Sequence, residues 1–524
     1  MATAKEKLRV KEFKNEPFID FSKPENKKKM EAALAKVKAE FGKEYPMWIG
    51  GKKVTTAGKR KSTNPSRPSE VIGVFQDASK EQAIEAIEAA NKYFDVWKKV
   101  PVQDRAKCLF KAAQIVRSRK FELDALVCYE VGKTWFEAEA DIAETIDFCE
   151  FYGREMLRLG QHQKLVPMKG ERNYLVYIPL GVGAIIPPWN FPCAIMAGLV
   201  VASLVTGNTV VLKPASDSPT IAAKFVEILH EAGVPTEAVQ FVTGSGAAVG
   251  DTIVQHPKTR YIGFTGSKEV GLRISELAAK PSPGQIWIKR TVLEMGGKDG
   301  IVVDDEADVE SAAEGTVAAA FGYQGQKCSA CSRVIVSEKV YDKFLDKLVE
   351  RTKKIKVGPS DDYSNYMGPV INESAMKTIL DYIEIGKKEG RLLTGGGRAP
   401  GEGYFVEPTI IADVPPKARL AQEEVFGPVL AVIKAKNFEN AMEIANNTEF
   451  GLTGSLYSKN PKKIQRAEAD FHVGNLYLNR KCTGAMVGAH PFGGFNMSGT
   501  DSKTGGKDYL LLFLQAKAVA EKVR

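Results

Sequence analysis

The feature that most restricts the fold is an alternation of short apolar runs and amphipathic segments that begins at residue 209. TVVLK at 209–213 is rich in β-branched residues and predicts a buried strand. SPTIAAKFVEILHEAG predicts a helix, with Ser218 as N-cap, Pro219 at its first position and Gly233 as its stop. AVQFVTG and YIGFTGS predict further strands. This spacing indicates a doubly wound parallel sheet, so we expect an α/β fold.

Several of these predicted strands end in residues that suit a nucleotide. Ligands of doubly wound sheets bind beyond the carboxyl ends of the strands, which places Lys213, Gly244 and the pair Gly266 and Ser267 at one rim. GSGAAVG at 244–250 is one residue longer than the G-x-G-x-x-G fingerprint, and a plain strand-to-helix turn explains it equally well. GSKEVG at 266–271 opens a helix, so its N–H groups suit a phosphate. Together these segments suggest a dinucleotide without establishing one.

Size and charge restrict the class of protein further. The 524 residues are enough for two or three domains. The net charge of +9 comes from 73 basic and 64 acidic residues that are interleaved along the chain, which argues against a nucleic-acid surface. The seven cysteines lack the regular spacing of a disulfide framework, which suits a reducing compartment. We therefore expect a cytoplasmic chain that does not bind nucleic acid.

Two segments bear on membranes and secretion. The start, MATAKEKLRV, lacks the apolar core of a signal peptide. Residues 173–212 carry no charge, but glycines and prolines divide them, and the longest apolar run, CAIMAGLVVASLV, is shorter than the ~20 residues of a membrane helix. We expect buried strands and a buried helix in this region, and no membrane partner.

A first amphipathic helix is predicted by DASKEQAIEAIEAANKYFDVW. Ser79 and Gln82 form a capping box at its start. Ile84, Ile87 and Phe94 are predicted to share its buried face.

The segment GYQGQKCSACSR places Cys328 among glycines, glutamines and Lys327. A free cysteine is most often a small buried apolar side chain. The Cys-x-x-Cys spacing with Cys331 also suits a dithiol or half of a zinc site, although the sequence has no second such pair and no histidine near either sulfur. The polar neighbours and Lys327 favour a reactive thiolate. Spacing alone leaves these alternatives open, with a metal disfavoured.

Four segments, in this order, resemble the NAD(P)-dependent aldehyde dehydrogenase family. The resemblance runs from about residue 47 to the C-terminus. The segments are PPWNFP with Asn190, LEMGGKD with Glu294, GYQGQKCSA with Cys328, and EEVFGPV with Glu424 and Phe426.

The resemblance implies a role for each catalytic residue. Cys328 would be the nucleophile, Asn190 and the backbone N–H of Cys328 would stabilise the oxyanion, and Glu294 would activate water. These residue types suit the chemistry, because an aldehyde can lose hydride only after a nucleophile has made its carbon tetrahedral. Without the resemblance, Asn190 would be interpreted as a turn residue and Glu294 as a surface acid. Cys331 is then assigned to packing.

The resemblance also implies a nicotinamide cofactor. Ser216 stands where many NAD-preferring members carry a glutamate, which would accept from the ribose 2′-OH and repel a 2′-phosphate. We therefore expect NAD as the main cofactor, with NADP tolerated. The implied cofactor contacts are Pro188, Trp189, Lys213, Ser216, Gly244, Gly266, Ser267, Gly271, Glu424 and Phe426.

Three longer segments are similar to the branch of the family that oxidises glutamate-5-semialdehyde to glutamate. They are GYQGQKCSACSR, NRKCTGAMVGAHPFGG and MSGTDSKTGG. The implied substrate residues are Ser329, Gly484 and Ala485 for the carboxylate, Phe191 and Phe492 for the aliphatic chain, and Glu139, a weaker candidate, for the ammonium.

Other interpretations of these segments stay open. CTGAMVG is compatible with an anion-binding nest and with a plain tight turn. Another acid semialdehyde, such as succinic semialdehyde, is the nearer alternative substrate. A protein without activity that senses redox state through Cys328 and Cys331 is the more distant alternative.

The predicted domain organisation has four parts. Residues 1–45 form a charged helical extension, 46–158 and 180–294 a cofactor-binding domain, 295–495 an α/β catalytic domain, and 159–179 and 496–524 a β oligomerisation element. The last part rests on KLVPMKGERNYLVYI, two strands around a turn, and on the apolar terminal strand in YLLLFLQAKAVAEKV. Exposed strands of this kind are a liability in a monomer, so we expect a homodimer or a higher homo-oligomer.

Overall fold

The computed structural model describes residues 10–523, which form an α/β fold with two large sheets. The first sheet has seven strands, of which five are parallel and a hairpin extends one edge in antiparallel orientation. Its strands, in spatial order, are Arg290–Glu294, Thr259–Thr265, Val182–Ile186, Thr209–Leu212, Val239–Phe241, Met47–Ile49 and Lys52–Val54.

The chain winds outwards from Val182–Ile186 in both directions. The strands Thr209–Leu212 and Val239–Phe241 follow on one side, and the strands Thr259–Thr265 and Arg290–Glu294 lie on the other. The switch point therefore lies between Val182–Ile186 and Thr259–Thr265, where doubly wound sheets bind their ligands. The strands predicted from the alternation that begins at residue 209 are confirmed.

The second sheet also has seven strands, all parallel except for one edge strand. Cys328 and Glu424 shortly precede two of its strands, so this sheet points its amino ends toward the crevice that the first sheet faces with its carboxyl ends. Its strands, in spatial order, are Arg391–Thr394, Thr409–Ala412, Val429–Ala435, Arg333–Ser337, Gly300–Val303, Thr453–Tyr457 and Asn475–Leu478.

Smaller sheets and the helices complete the architecture of the described residues. The small sheets are Lys43–Tyr45, Arg67–Gln76 and Lys59–Asn64; Phe450–Gly451 and Phe495–Asn496; and an arm sheet of Leu514–Lys522, Glu171–Pro179 and Gln163–Lys164. The α-helices are Pro24–Lys38, Lys80–Trp97, Val102–Ser118, Lys120–Val131, Trp135–Leu159, Ala194–Val205, Pro219–Glu231, Asp251–Gln255, Lys268–Ala279, Val309–Phe321, Tyr341–Thr352, Glu373–Glu389, Arg419–Gln422, Phe438–Asn446 and Pro461–Asp470. Short 3₁₀ turns occupy Thr236–Ala238, Gly322–Gly325 and Tyr509–Phe513, and Gly246–Gly250 is a π-turn.

The arm sheet forms from the hairpin and the terminal strand that the sequence predicts. Leu514–Lys522 pairs antiparallel with Glu171–Pro179 over nine residues, from Leu514 opposite Pro179 to Lys522 opposite Glu171. Its connecting loop leaves Val166 82% exposed. Oligomerisation and the four-part domain division stay predictions. In residues 10–523, no helix combines the length and the hydropathy that crossing a membrane requires.

The helix Lys80–Trp97 corrects one prediction. Its capping box between Ser79 and Gln82 is present. Ile84 and Phe94, however, are only half-buried. The fully covered stripe consists of Ala83, Ala86, Ile87, Ala90 and Trp97. The predicted face is therefore confirmed at Ile87 and wrong at Ile84 and Phe94, because alanines occupy most of the covered stripe and these two bulkier side chains lie at its sides.

Within the described part of the predicted N-terminal extension, residues 10–45, the α-helix covers Pro24–Lys38. Residues 1–9 lie outside the described part of the chain. Residues 10–20 have no regular secondary structure and lie against the helix Trp135–Leu159.

Candidate active site

The polar residues that precede Cys328 fix the backbone conformation of its loop. Tyr323 and Gln324 both lie in the left-handed region, with φ of 49° and 57°. The Tyr323 hydroxyl donates to the Val131 carbonyl at 3.0 Å, and Gln324 Nε2 donates to the carbonyls of Gly132 at 3.0 Å and Pro369 at 2.7 Å. These buried bonds stabilise a conformation that costs roughly 1–3 kcal/mol per strained residue. The polar residues of GYQGQ therefore shape the loop.

Two further residues fix the loop from the other side of the crevice. A Cβ at Gly297 would overlap the carbonyl oxygen of Cys328, so LEMGGKD needs glycine there. Asn190, 3% exposed, follows the strand Val182–Ile186 and donates from Nδ2 to the Gln326 carbonyl at 3.0 Å. Its Oδ1 accepts from the Phe191 N–H at 3.1 Å. The switch point of the first sheet thus places an amide beside the Cys328 loop.

The surroundings of Cys328 hold its thiol in the protonated form. Burial raises the pKa of this half-buried thiol well above its usual value, and Asp299, Glu424 and Glu294 raise it further. Lys327 does not counter this, because its ammonium pairs with Glu137 at 2.7 Å. The prediction that Lys327 favours the thiolate is therefore wrong. A base or a bound substrate has to assist deprotonation.

Cys331 points away from the crevice. It is 1% exposed, and its Sγ donates to the Arg333 carbonyl at 3.3 Å. Among the described residues, the group with ligand atoms close enough to hold a metal consists of Asp304, Asp305 and Glu306. The ammonium of Lys463 contacts all three carboxylates, at 2.8, 2.6 and 3.1 Å. The Cys-x-x-Cys pair belongs to no such group, which agrees with a packing role for Cys331.

Glu294 ends the edge strand Arg290–Glu294 with its carboxylate buried. Burial raises its pKa to about 8, against the opposing effect of hydrogen bonds from Ser502. The Ser502 hydroxyl donates to Oε1 at 2.5 Å, while Oε2 has no partner among the described residues. Gly493 and Gly499 leave the space it occupies, since a Cβ on either would lie 3.1–3.3 Å from its oxygens. Ser502 lies in the segment MSGTDSKTGG, but the sequence analysis assigned it no role, because only the tertiary fold brings it to Glu294.

On the other side of the switch point, the strand Thr259–Thr265 leads into the helix Lys268–Ala279, whose N-terminus suits an anion. Gly266 donates its N–H to the Glu294 carbonyl at 3.0 Å. Ser267 caps the helix Lys268–Ala279 by accepting from the Val270 N–H at 3.4 Å. A Cβ on Gly271 would overlap Met295, so glycine lets this helix pack directly on the sheet. The helix begins directly after the strand Thr259–Thr265, at the carboxyl edge of the sheet, where the N–H groups of a first helical turn suit a pyrophosphate.

The nicotinamide end of the predicted cofactor site lies between the two sheets. The rings of Trp189, which follows Pro188, and Phe426 meet edge to face at 5.5 Å between centroids. Glu424 accepts from the Gly297 N–H at 2.9 Å, and burial raises its pKa to about 7. An aromatic pair and a carboxylate beside the Cys328 loop suit a flat cationic ring and a ribose.

The adenosine end lies at the rim of the first sheet. Lys213 is 6% exposed, donates to the Pro214 carbonyl at 3.1 Å, and has a pKa lowered to about 8 by burial. Ser216 is exposed beside it. A Cβ on Gly244 would lie 2.6 Å from Val249 in the π-turn that replaces the predicted helix start. The predicted cofactor residues of the first sheet follow the carboxyl ends of its strands, and the glycines and the helix start at that edge fit a dinucleotide.

The predicted carboxylate residues adjoin the nucleophile. Cys482 Sγ donates to the Ser329 carbonyl at 3.5 Å and so brings the loop of Gly484 and Ala485 against the residue after Cys328. Gly484 is exposed with φ of +84°, and Arg480 donates to its carbonyl at 3.2 Å.

The two predicted phenylalanine walls have different neighbours. Phe191 packs edge to face on Tyr323 at 6.4 Å, and the Lys133 ammonium lies 3.8 Å from its ring centroid. Phe492 is half-buried and directly precedes Gly493, which lies beside Glu294. Both rings therefore border groups of the candidate site.

Glu139 does not lie in the site, and its prediction as an ammonium ligand is wrong. It is fully buried, pairs with Lys120 at 2.5 Å and accepts from the Ile19 N–H at 2.9 Å. Its carboxylate is thus already neutralised by the chain and closed to a substrate. It faces the N-terminal segment because helical periodicity turns it away from Glu137 and Lys327.

Glu144, on the same helix, is another carboxylate of this region. It lies seven residues after Glu137 and so on the same helix face, is half-buried, and has no hydrogen bond or ion pair to any described residue. Burial raises its pKa to about 8. Its charge acts on Tyr152, whose hydroxyl accepts from Gly505 near the loop of Gly484. In the sequence, Glu144 could have been found from its spacing of seven residues from Glu137, which places both side chains on one face of a helix.

Comparison with known proteins shows the family to which the chain belongs. The sequence profile of the aldehyde dehydrogenase family matches residues 53–519. A 1-pyrroline-5-carboxylate dehydrogenase from a Geobacillus species is 58% identical over 98% of this chain and 99% of its own length. A mutant of the Thermus thermophilus 1-pyrroline-5-carboxylate dehydrogenase superposes with a TM-score of 0.97 at 51% identity, covering 98% of this chain and all of that one. A Thermus structure of that enzyme with bound NAD gives 0.96 at the same identity and coverage.

Proposed function

Because the chain belongs to the aldehyde dehydrogenase family, we propose that it oxidises L-glutamate-5-semialdehyde, which forms from 1-pyrroline-5-carboxylate, to L-glutamate. This is the second step of proline catabolism. Aldehyde, NAD⁺ and water become carboxylate, NADH and two protons, and NADP is tolerated in place of NAD. The observation that carries the substrate assignment is the hydrogen bond from Cys482, two residues before Gly484, to the carbonyl of Ser329, next to the nucleophile.

Cys328 begins the reaction. Its sulfur attacks the aldehyde carbon, and the carbonyl oxygen becomes an oxyanion. The Asn190 amide and the Cys328 N–H stabilise that oxyanion, a type of contact worth about 3–4 kcal/mol each. In the resting structure, Asn190 Nδ2 bonds to the Gln326 carbonyl, so the loop already holds the amide beside the nucleophile. When bound, NAD⁺ supplies the acceptor for the hydride that the adduct loses.

Glu294 completes the turnover by accepting a proton from the water that attacks the thioester. A carboxyl group with a pKa near 8 is a competent base at a slightly alkaline pH. Ser502 holds the carboxylate in a defined orientation through its bond to Oε1. The free oxygen, Oε2, is the one available to a water.

The carboxylate and the ammonium of the substrate are bound by two different segments of the chain. Gly484 and Ala485 offer backbone N–H groups to the carboxylate in a glycine-containing turn. We assign the ammonium to Glu144, whose pKa would fall when a positive charge binds beside it. Phe191 and Phe492 line the aliphatic chain between these groups and Cys328.

The remaining proposals concern assembly and location. The exposed side chains Leu165, Val166 and Met168 and the free edge of the arm sheet support a homodimer or a higher homo-oligomer. The two large sheets support separate cofactor-binding and catalytic domains within the predicted division. We propose that the enzyme acts in the cytoplasm.

The proposed function is tested by comparing kcat/KM for glutamate-5-semialdehyde, succinic semialdehyde and propanal, each with NAD and with NADP. We expect glutamate-5-semialdehyde with NAD to give the highest value. A higher value for succinic semialdehyde would assign the enzyme to the alternative substrate. Absence of NADH formation with every aldehyde would leave the redox-sensing alternative.

The choice between cofactors is predicted to depend on Ser216. Ser216→Glu places a carboxylate against the 2′-phosphate, so kcat/KM with NADP should fall at least about tenfold while kcat/KM with NAD changes little. Ser216→Gln is the matched control, because it has the same length without the charge and should affect both cofactors alike. Equal losses with NAD and NADP in Ser216→Glu would show that this residue does not face the adenosine ribose.

The carboxylate site is predicted to depend on Gly484. Its φ of +84° is strained for a β-branched residue, so Gly484→Val should distort the turn and raise KM for glutamate-5-semialdehyde by about tenfold. Propanal, which has no carboxylate, should be nearly unaffected. Gly170→Val carries similar strain at φ +79° in the arm hairpin and should leave both substrates unchanged. A uniform loss for both aldehydes in Gly484→Val would remove the support for carboxylate binding.

A further inference from the structure

Residues 11–21, called the strap below, follow the helix Trp135–Leu159 in extended conformation. As the strap advances, its partners move back toward the start of the helix, so the two run antiparallel. The spans agree, because about eight extended residues cover the same length as roughly fifteen helical residues. The polar contacts are Arg154 Nε to the Lys11 carbonyl at 2.9 Å, Glu16 N–H to Asp147 at 2.7 Å, and Ile19 N–H to Glu139 at 2.9 Å.

Through Asn15, the strap also contacts the loop that follows Gly484. Asn15 Nδ2 donates to Asp147 Oδ2 at 2.7 Å and to the Val487 carbonyl at 2.9 Å, so one amide joins the helix to the loop.

The next loop residue, Gly488, packs against two aromatic rings. The rings of Phe13 and Phe151 meet edge to face at 5.1 Å, and a Cβ on Gly488 would lie 3.2 Å and 3.1 Å from them. The strap therefore clamps the loop onto the helix by a hydrogen bond and by apolar packing.

We propose that Asn15 and Phe13 are positioning residues that set the spacing between the two halves of the amino-acid subsite. The proposal rests on the proposed function. The loop carries Gly484 and Ala485 for the substrate carboxylate, three and two residues before Val487. The helix carries Glu144 for the ammonium.

The chemistry of the substrate explains why this spacing matters. Its carboxylate and ammonium sit on the same carbon, so the groups that bind them have to be held at one separation. The helix is bound by the strap on both sides of Glu144, at Glu139 and at Asp147. Asn15 then ties Asp147 to the loop. A substrate without these two charged groups gains nothing from this clamp.

The test compares Asn15→Ala and Phe13→Ala with the wild-type enzyme on glutamate-5-semialdehyde and propanal. Loss of the bridging hydrogen bonds should raise KM for the semialdehyde about fivefold in Asn15→Ala, with kcat nearly unchanged. The value of kcat/KM for propanal in the same preparation should stay within about twofold, which also reports an intact fold. Phe13→Leu keeps apolar packing on Gly488 and should recover most of the KM lost in Phe13→Ala.

Asn26→Ala is the matched control, because the Asn26 amide donates only to the nearby Asp20 carbonyl. It should behave like the wild-type enzyme. An unchanged KM for the semialdehyde in Asn15→Ala, or equal losses on both aldehydes, would overturn the positioning role. A wild-type enzyme that does not prefer the semialdehyde to propanal would instead reject the proposed function, and the positioning role with it.

Discussion

Cys328→Ala should abolish oxidation of every aldehyde while NAD affinity stays close to that of the wild-type enzyme. Without the sulfur, no covalent adduct forms, and an aldehyde that stays trigonal cannot release hydride. The alanine is smaller than cysteine and keeps the backbone N–H that faces the oxyanion, so the loop should keep its shape. The measurements are NADH formation at saturating aldehyde and NAD binding by calorimetry.

Cys331→Ala is the control for this prediction. Cys331 is buried, and its thiol donates to the Arg333 carbonyl and neighbours the Cys482 thiol, so its removal should lower stability modestly and leave most of the activity. Residual NADH formation by Cys328→Ala at more than a trace of the wild-type rate would show that another group starts the reaction. A folded Cys331→Ala enzyme that is as inactive as Cys328→Ala would contradict the packing role of Cys331.

The sequence predicted the parts of this site that depend on local pattern. β-Branched runs such as 209–213 specify buried strands, and residues at the ends of parallel strands share an edge, so Lys213 and Gly266 could be placed at one rim. The four family-like segments added the chemistry of Cys328, Glu294 and Asn190. The structure adds why the glycines of LEMGGKD are needed, since Gly297 packs on the backbone of Cys328.

The sequence could not predict pairings between residues far apart in the chain. Lys327 looked like an activator of Cys328 because its partner, Glu137, lies 190 residues earlier. Glu139 looked available for an ammonium because Lys120 and Ile19 come from other segments. Ser502 lies in the segment MSGTDSKTGG, but its role could not be assigned from the sequence, because only the fold brings its hydroxyl to Glu294. In each case the sequence gives the charge or the hydroxyl, whereas its partner depends on tertiary contacts.

Glu294→Gln should separate the two halves of the reaction. The amide keeps the shape of the side chain and can still accept from Ser502, but it cannot take a proton from water. The first turnover should therefore occur and give a burst of NADH approaching one per active site. Steady-state turnover should fall by roughly 10²–10⁴, the usual contribution of a general base. The acyl-enzyme should accumulate on Cys328 and appear as a mass increase of the intact protein.

The rate of deacylation should depend on pH through the ionisation of Glu294. The pKa of Glu294 is raised to about 8 by burial, so the carboxyl group is mostly neutral below that pH and ionises as the pH rises. Deacylation by the wild-type enzyme should therefore accelerate as the pH rises through about 8, and Glu294→Gln should lose this rise. The burst rate should increase with pH in both enzymes, because the raised pKa of the Cys328 thiol remains. A folded Glu294→Gln enzyme that gives neither burst nor adduct at any pH would refute the assignment of Glu294 to deacylation.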